Sequence, residues 1–170
     1  MDVDFEAADL FQVLRYDASG DGPLEGGRGE WYKPHVDYFQ AHDGYIEQDL
    51  IQKNGTNRFA TLFMYLSDVE EGGHTVFPLS TSHAGYTGER LVRNGTSDTP
   101  GSIDVDDALY CCNTTSSALR SMPKKGNAVL FYSQTPLGAL DPFSLHGGCP
   151  VVKGVKWAGN IWIWNRRRPQ

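Results

Sequence analysis

The chain has 170 residues, 39% of them hydrophobic and 21% charged, which is the composition of one globular domain long enough to bury a core. A formal net charge of −6 and a pI near 5.3 exclude the basic face of a nucleic-acid binder; the only basic run, Arg166-Arg167-Arg168, reads as a solvated tail. No stretch of about 18 apolar residues is present, so no membrane span is expected in this chain, and the acidic opening from Met1 to Glu6 lacks a signal-peptide pattern.

Apolar, aromatic and β-branched runs bounded by Gly, Pro, Asn and Asp predict strands at 10–16, 35–39, 58–66, 74–78, 118–122, 127–133, 143–149 and 155–164. No long 3.6-residue periodicity competes with them. The expected fold is an all-β core with minor helix, arranged as a sandwich or jelly roll.

After the first strand, residues 17–30 are rich in glycine and open like a calcium loop, with Asp17, Ser19, Asp21 and Gly22 in suitable places. Arg28 stands where such a loop needs a bidentate Glu, so the segment reads as a surface insertion. An aromatic-proline approach, Trp31-Tyr32-Lys33-Pro34, then leads into His35-Val36-Asp37. Residues two apart on a strand share a face, so His35 and Asp37 can grip one metal ion. A lone His-x-Asp arises often by chance. A second histidine far along the chain, His146, in Ser144-Leu145-His146-Gly147-Gly148-Cys149-Pro150, offers the third ligand. Two nitrogens and one carboxylate oxygen leave three octahedral positions open, the arrangement of non-heme Fe(II) oxygenases, although the same donors also accept zinc or manganese.

Further along, residues 79–117 are polar and turn-rich, carry Asp104, Asp106 and Asp107, and read as a second insertion, either without a role or as a substrate lid. His42, His74 and His83 are expected at the surface, and Glu70 and Glu71 in a solvent-facing turn. Of the three cysteines, adjacent Cys111 and Cys112 are ill-suited to bridge each other; one of them paired with Cys149, or three thiols, both suit the sequence. Three N-x-T sequons at Asn54, Asn94 and Asn113 lean slightly toward a secretory location.

The stretches FQVLRY (11–16), YKPHVDYF (32–39), ATLFMYLSDVEEGGHTVFP (60–78), KKGNAVLFYS (124–133) and DPFSLHGGCPVVKGVKW (141–157) together resemble the catalytic domain of prolyl 4-hydroxylases. These are Fe(II)- and 2-oxoglutarate-dependent enzymes of the collagen and plant or algal cell-wall type. The resemblance implies one domain over 1–170 with a double-stranded β-helix, apparently lacking part of the family's N-terminal region. It implies His35, Asp37 and His146 as iron ligands, and Lys156 as the partner of the distal carboxylate of 2-oxoglutarate, assisted by Thr75 and Tyr16. Related hypoxia-sensing and lysyl-hydroxylating enzymes typically carry arginine in place of Lys156, which favours the collagen or cell-wall branch. Arg58, Trp162 and Tyr38 are the expected walls of a groove for a proline-rich peptide.

The function so implied is hydroxylation of peptidyl proline at C4 with O2, releasing succinate and CO2, with ascorbate as a supporting reductant and a location in the endoplasmic reticulum or Golgi. Two other readings fit the same scaffold: a hydroxylase of another residue or a small molecule, and a non-catalytic jelly-roll binding module.

Overall fold

The computed structural model describes residues 8–18, 29–39, 56–81, 111–113 and 116–166. These hold ten strands: β1 (Gln12–Asp17), β2 (Tyr32–His35), β3 (Arg58–Tyr65), β4 (Glu71–Gly72), β5 (Thr75–Thr81), β6 (Ala118–Ser121), β7 (Ala128–Tyr132), β8 (His146–Gly148), β9 (Val151–Lys153) and β10 (Val155–Trp164). One sheet has the order β1-β10-β3-β7 and a second the order β2-β8-β5-β6, while β4 and β9 form a small two-stranded ribbon. All pairings are antiparallel. The neighbours in each sheet are distant in sequence, as a double-stranded β-helix requires.

The longest strand, β10, organises the first sheet. Its partners are set in register, with Tyr16 opposite Lys156 on one side and Thr61 opposite Trp162 on the other. Lys156, Ala158, Asn160 and Trp164 are buried at alternate positions, as period-2 geometry dictates. Tyr65, Val76, Leu145 and Val151 are among the most completely buried side chains, and Val76 packs with Cys111, Ala118 and Cys149.

The sequence-derived strands depart from these bounds in instructive places. The strand expected at 35–39 instead ends at His35, so Asp37 lies past it in a bend. Pro34 removes a ladder donor, and β2 is an edge strand whose register shifts between Tyr32 and His35. The strand expected at 143–149 shrinks to His146–Gly148 because Pro142–Ser144 form a 3-10 turn, which Asp141 caps by accepting a hydrogen bond from the Phe143 N–H. The ribbon of β4 and β9 is too short to leave a sequence pattern. Much of both expected insertions, with His42, His83, Asn54, Asn94, Asp104, Asp106 and Asp107, lies outside the described residues.

Gly147 is where β8 and β2 come together most tightly. A Cβ there would sit 3.2 Å from the Pro34 nitrogen and the Tyr32 carbonyl oxygen, so β2 would have to draw back by a few tenths of an ångström. Leu145, wholly buried, stands immediately before His146 at the start of β8. Replacing Leu145 by Ala should lower unfolding free energy by about 2–5 kcal/mol in urea denaturation, the usual cost of emptying a core position. A loss under about 1 kcal/mol would contradict this packing.

Candidate metal and dicarboxylate site

His35 on β2 and His146 on β8 are direct cross-strand partners, which brings their ring centroids to 4.4 Å. Each ring Nδ1 lies against a backbone carbonyl two residues upstream, Lys33 O at 3.0 Å and Ser144 O at 2.9 Å. A carbonyl only accepts, so both rings carry their proton on Nδ1 and turn the Nε2 lone pair toward Asp37. His35 Nε2 is 3.4 Å from Asp37 Oδ1, and His146 Nε2 is 3.9 Å from Oδ2. One donor atom from each of the three residues lies within 4.8 Å of the others.

Asp37 is only 5% exposed. Burial alone would raise its pKa; the adjacent His35 and His146 rings and the Thr61 hydroxyl, which donates to it, outweigh that and hold the carboxyl well below the usual carboxylate range. His146 is pushed down to about 4, chiefly by burial and then by His35, so it is a neutral ligand at ordinary pH. Two imidazole lone pairs and a carboxylate aimed at one point repel one another unless a cation sits between them. The donor set therefore fits a divalent metal of the iron, manganese or zinc type.

A cavity of about 390 Å3 opens beside these residues, between the two sheets. Lys156 reaches into it from β10, 2% exposed, with its Nζ 5.2–5.7 Å from the ring centres of Phe63, Tyr16 and Tyr65. No carboxylate among the described residues pairs with it, and burial lowers its pKa to about 7. Thr75 lines the same cavity, its hydroxyl 2.9 Å from the Tyr65 hydroxyl, which also lies 3.1 Å from the Ser121 carbonyl. Tyr16 is held protonated, its pKa raised to about 12 by burial and then by Tyr32 and Glu30. The cavity thus has a cation and two hydroxyls in a wall of rings, across from three convergent metal donors.

Arg58, Trp162 and Tyr38 also line this cavity. The Arg58 guanidinium stacks 3.8 Å above the Trp162 ring and 4.6 Å from Phe39, with Asp9 at 3.8 Å. Tyr38 donates to the Gly138 carbonyl at 3.4 Å.

Other expectations meet different fates. Glu70 and Glu71 are exposed, Glu70 pairing with Lys153 at 2.6 Å. His74, expected at the surface, is instead buried at 7% exposure, because β5 runs through the middle of its sheet between β8 and β6. Cys112 bridges Cys149, and Cys111 is a buried thiol. Sequence reasoning also missed Thr61 and Asn160. Both are buried polar residues on largely apolar strands, and that mismatch was the available signal.

A family profile described as the 2OG-Fe(II) oxygenase superfamily matches residues 11–164. The chain belongs to the 2OG-Fe(II) oxygenase superfamily. Its relatives in this superfamily include a probable prolyl 4-hydroxylase 3 of Arabidopsis thaliana, 38% identical over 152 residues, covering 89% of this chain and 41% of that protein. Prolyl 4-hydroxylase 5 of the same plant is 37% identical over 161 residues, covering 95% of this chain and 43% of the relative. The chain thus spans roughly two fifths of the length of these curated relatives. Among solved structures, the viral collagen prolyl hydroxylase of Paramecium Bursaria Chlorella virus-1, in complex with 2OG, superimposes with a TM-score of 0.53 at 24% identity. That match covers 92% of this chain and 59% of the viral one, and it fixes the fold as the jelly roll of that enzyme.

The buried ammonium gives a test that needs no turnover. Folding holds Lys156 near 7, below its ordinary 10.5, so between those values the unfolded chain binds more protons and stability rises with pH. In denaturant titrations of metal-free protein, Lys156→Met should be the more stable form at about pH 7 and should lose much of the rise seen toward about pH 9. A wild-type slope in the variant would contradict the burial of an unpaired charge.

Proposed function

We propose that this chain is the catalytic domain of a 2-oxoglutarate-dependent prolyl 4-hydroxylase acting on proline-rich peptides. The observation that carries the reading is a buried, unpaired ammonium across one cavity from a His-Asp-His donor set. In this reading His35, Asp37 and His146 hold Fe(II). Lys156 pairs the distal carboxylate of 2-oxoglutarate, with the Thr75 and Tyr16 hydroxyls donating to it. Bound iron with 2-oxoglutarate and O2 would supply the oxidative chemistry, yielding succinate, CO2 and a hydroxylated C–H bond.

The chain's own residues do the positioning. Carbonyl-held imidazoles keep their Nε2 atoms aimed without rearrangement on metal entry. Thr61 fixes the rotamer of Asp37 by donating to one carboxylate oxygen, which leaves the other free. Phe63 and the tyrosines exclude water from Lys156, so its attraction for a carboxylate is stronger than at a surface. Arg58, Trp162 and Tyr38 form an aromatic and cationic rim suited to a polyproline II segment, whose rigid form loses little entropy on binding. Ascorbate as the supporting reductant and a place in the secretory pathway complete the reading; the N-x-T sequons and the Cys112–Cys149 bridge are compatible with that compartment.

Incubating the chain with Fe(II), 2-oxoglutarate, ascorbate and either poly-proline or a collagen-like peptide should release succinate and yield 4-hydroxyproline, identified by mass spectrometry. His146→Ala should abolish both products, and turnover equal to wild type would refute the ligand set. Lys156→Ala should raise the apparent KM for 2-oxoglutarate by about a hundredfold, corresponding to roughly 3 kcal/mol for a buried carboxylate that loses its partner. An unaltered KM would remove Lys156 from the site. Succinate coupled to oxidation of a residue other than proline would keep the superfamily chemistry and overturn the substrate.

A further inference from the structure

His74, Cys112 and Cys149 form a second convergent cluster, on the outer side of the β5–β8 pairing from the His35 site. One donor atom from each lies within 4.8 Å of the others. The cluster is built by the sheet: Thr75 is opposite Gly148, and the Cys149 N–H donates to the His74 carbonyl at 2.8 Å. Cys112 approaches from the segment 111–113, and its backbone holds the His74 ring by a hydrogen bond.

Two observations point to a ligand rather than to a simple core. His74 Nε2 is completely shielded yet has no hydrogen-bond partner, an orphan that would normally cost stability. Burial, and then the charges of Arg120 and Lys156, push this imidazole down to about 4, so it is neutral and able to offer a lone pair. In addition, a cavity of about 630 Å3 borders His74, Cys112 and Cys149, with Glu70, Glu71 and Arg120 on its walls, and gives solvent ions a route to the cluster.

We infer that His74, Cys112 and Cys149 are a second metal site, distinct from the His35 site, that binds a thiophilic divalent cation of the zinc type when the Cys112–Cys149 bridge is reduced. One imidazole nitrogen and two thiolates supply three corners of a tetrahedron, and a water from the cavity supplies the fourth. The bridged and metal-bound states exclude each other, since the bridge uses the sulfur electrons that the ion needs. A dithiol reductant converts the bridge into two thiols and is itself oxidised to a disulfide, transferring two electrons and two protons. Entry of the cation then releases both thiol protons to solvent. Oxidation of the metal-bound form by a disulfide reverses the exchange: the bridge reforms, the incoming disulfide takes two protons from solvent as it becomes two thiols, and the ion leaves. The chemistry at the His35 site is not involved, so the inference stands or falls separately from the hydroxylase reading.

The probe is Co2+, added anaerobically to the full chain after phosphine reduction and removal of the reductant. Thiolate-to-cobalt charge transfer in the near ultraviolet reports sulfur ligation only, and ions held by His35, Asp37 and His146 do not produce it. The band is expected in reduced protein, displaced by Zn2+, absent from oxidised protein, retained in Cys111→Ser, and lost or at least tenfold weaker in His74→Ala. Zn2+ should also raise the Tm of the reduced chain by more than that of the oxidised chain, whose His35 site still takes the ion. No band in reduced wild type would overturn the site, as would a His74→Ala titration identical to wild type or loss of the band in Cys111→Ser.

Discussion

The pairing of two short strands, β2 and β8, is the constraint on which the remainder of the molecule depends. Because His35 stands opposite His146 in that ladder, two imidazoles face each other without needing long or flexible side chains. The backbone also supplies the carbonyls that fix both ring tautomers. Gly147 marks their tightest approach, and the wholly buried Leu145 leads into His146. Asp37 then enters from a bend rather than from the strand itself, and Thr61 of the opposite sheet secures it. Three lone-pair donors at one buried point make a strongly cation-seeking site.

The first sheet contributes the complementary half. Lys156, Tyr16, Phe63, Arg58 and Trp162 all come from β1, β3 and β10, while His35, His146 and Thr75 come from β2, β8 and β5. The cavity exists only where the two sheets face each other, so the metal donors and the ammonium are brought together by the closed jelly roll rather than by any local motif. Each half is costly when alone: a buried ammonium without an anion opposes folding, and converging acceptors without a cation repel. A metal and a dicarboxylate relieve both costs at once, which is why local instability and binding capacity coincide here.

Much of this was legible in the sequence because strand periodicity and turn residues carry local information. The runs around 58–66, 127–133 and 155–164 reappear as β3, β7 and β10 within two residues at each end. The burial of Lys156 follows the alternation of β10, in which Ala158 and Asn160 share its buried side while its neighbour Trp157 is exposed. What stayed hidden depends on contacts between distant segments. Pro34 and an edge position cut β2 short, so the same-strand geometry imagined for His35 and Asp37 gave way to a strand end and a bend. His74 looked like a surface residue because nothing in Gly72-Gly73-His74 says that β5 will be flanked on both sides. The choice of Cys112 over Cys111 as partner of Cys149 was equally inaccessible, since it turns on which sulfur faces β8.

The central claim is that the His35, Asp37 and His146 donors and the Lys156 ammonium act on one metal-bound dicarboxylate. The most direct measurement is anaerobic titration of the chain with Fe(II) and then 2-oxoglutarate, followed by visible absorption. The account predicts a metal-to-ligand charge-transfer band that saturates at one equivalent of each, disappears in Asp37→Ala, and needs far more 2-oxoglutarate in Lys156→Ala. Absence of the band in the intact chain, or its persistence unchanged in both variants, would contradict it.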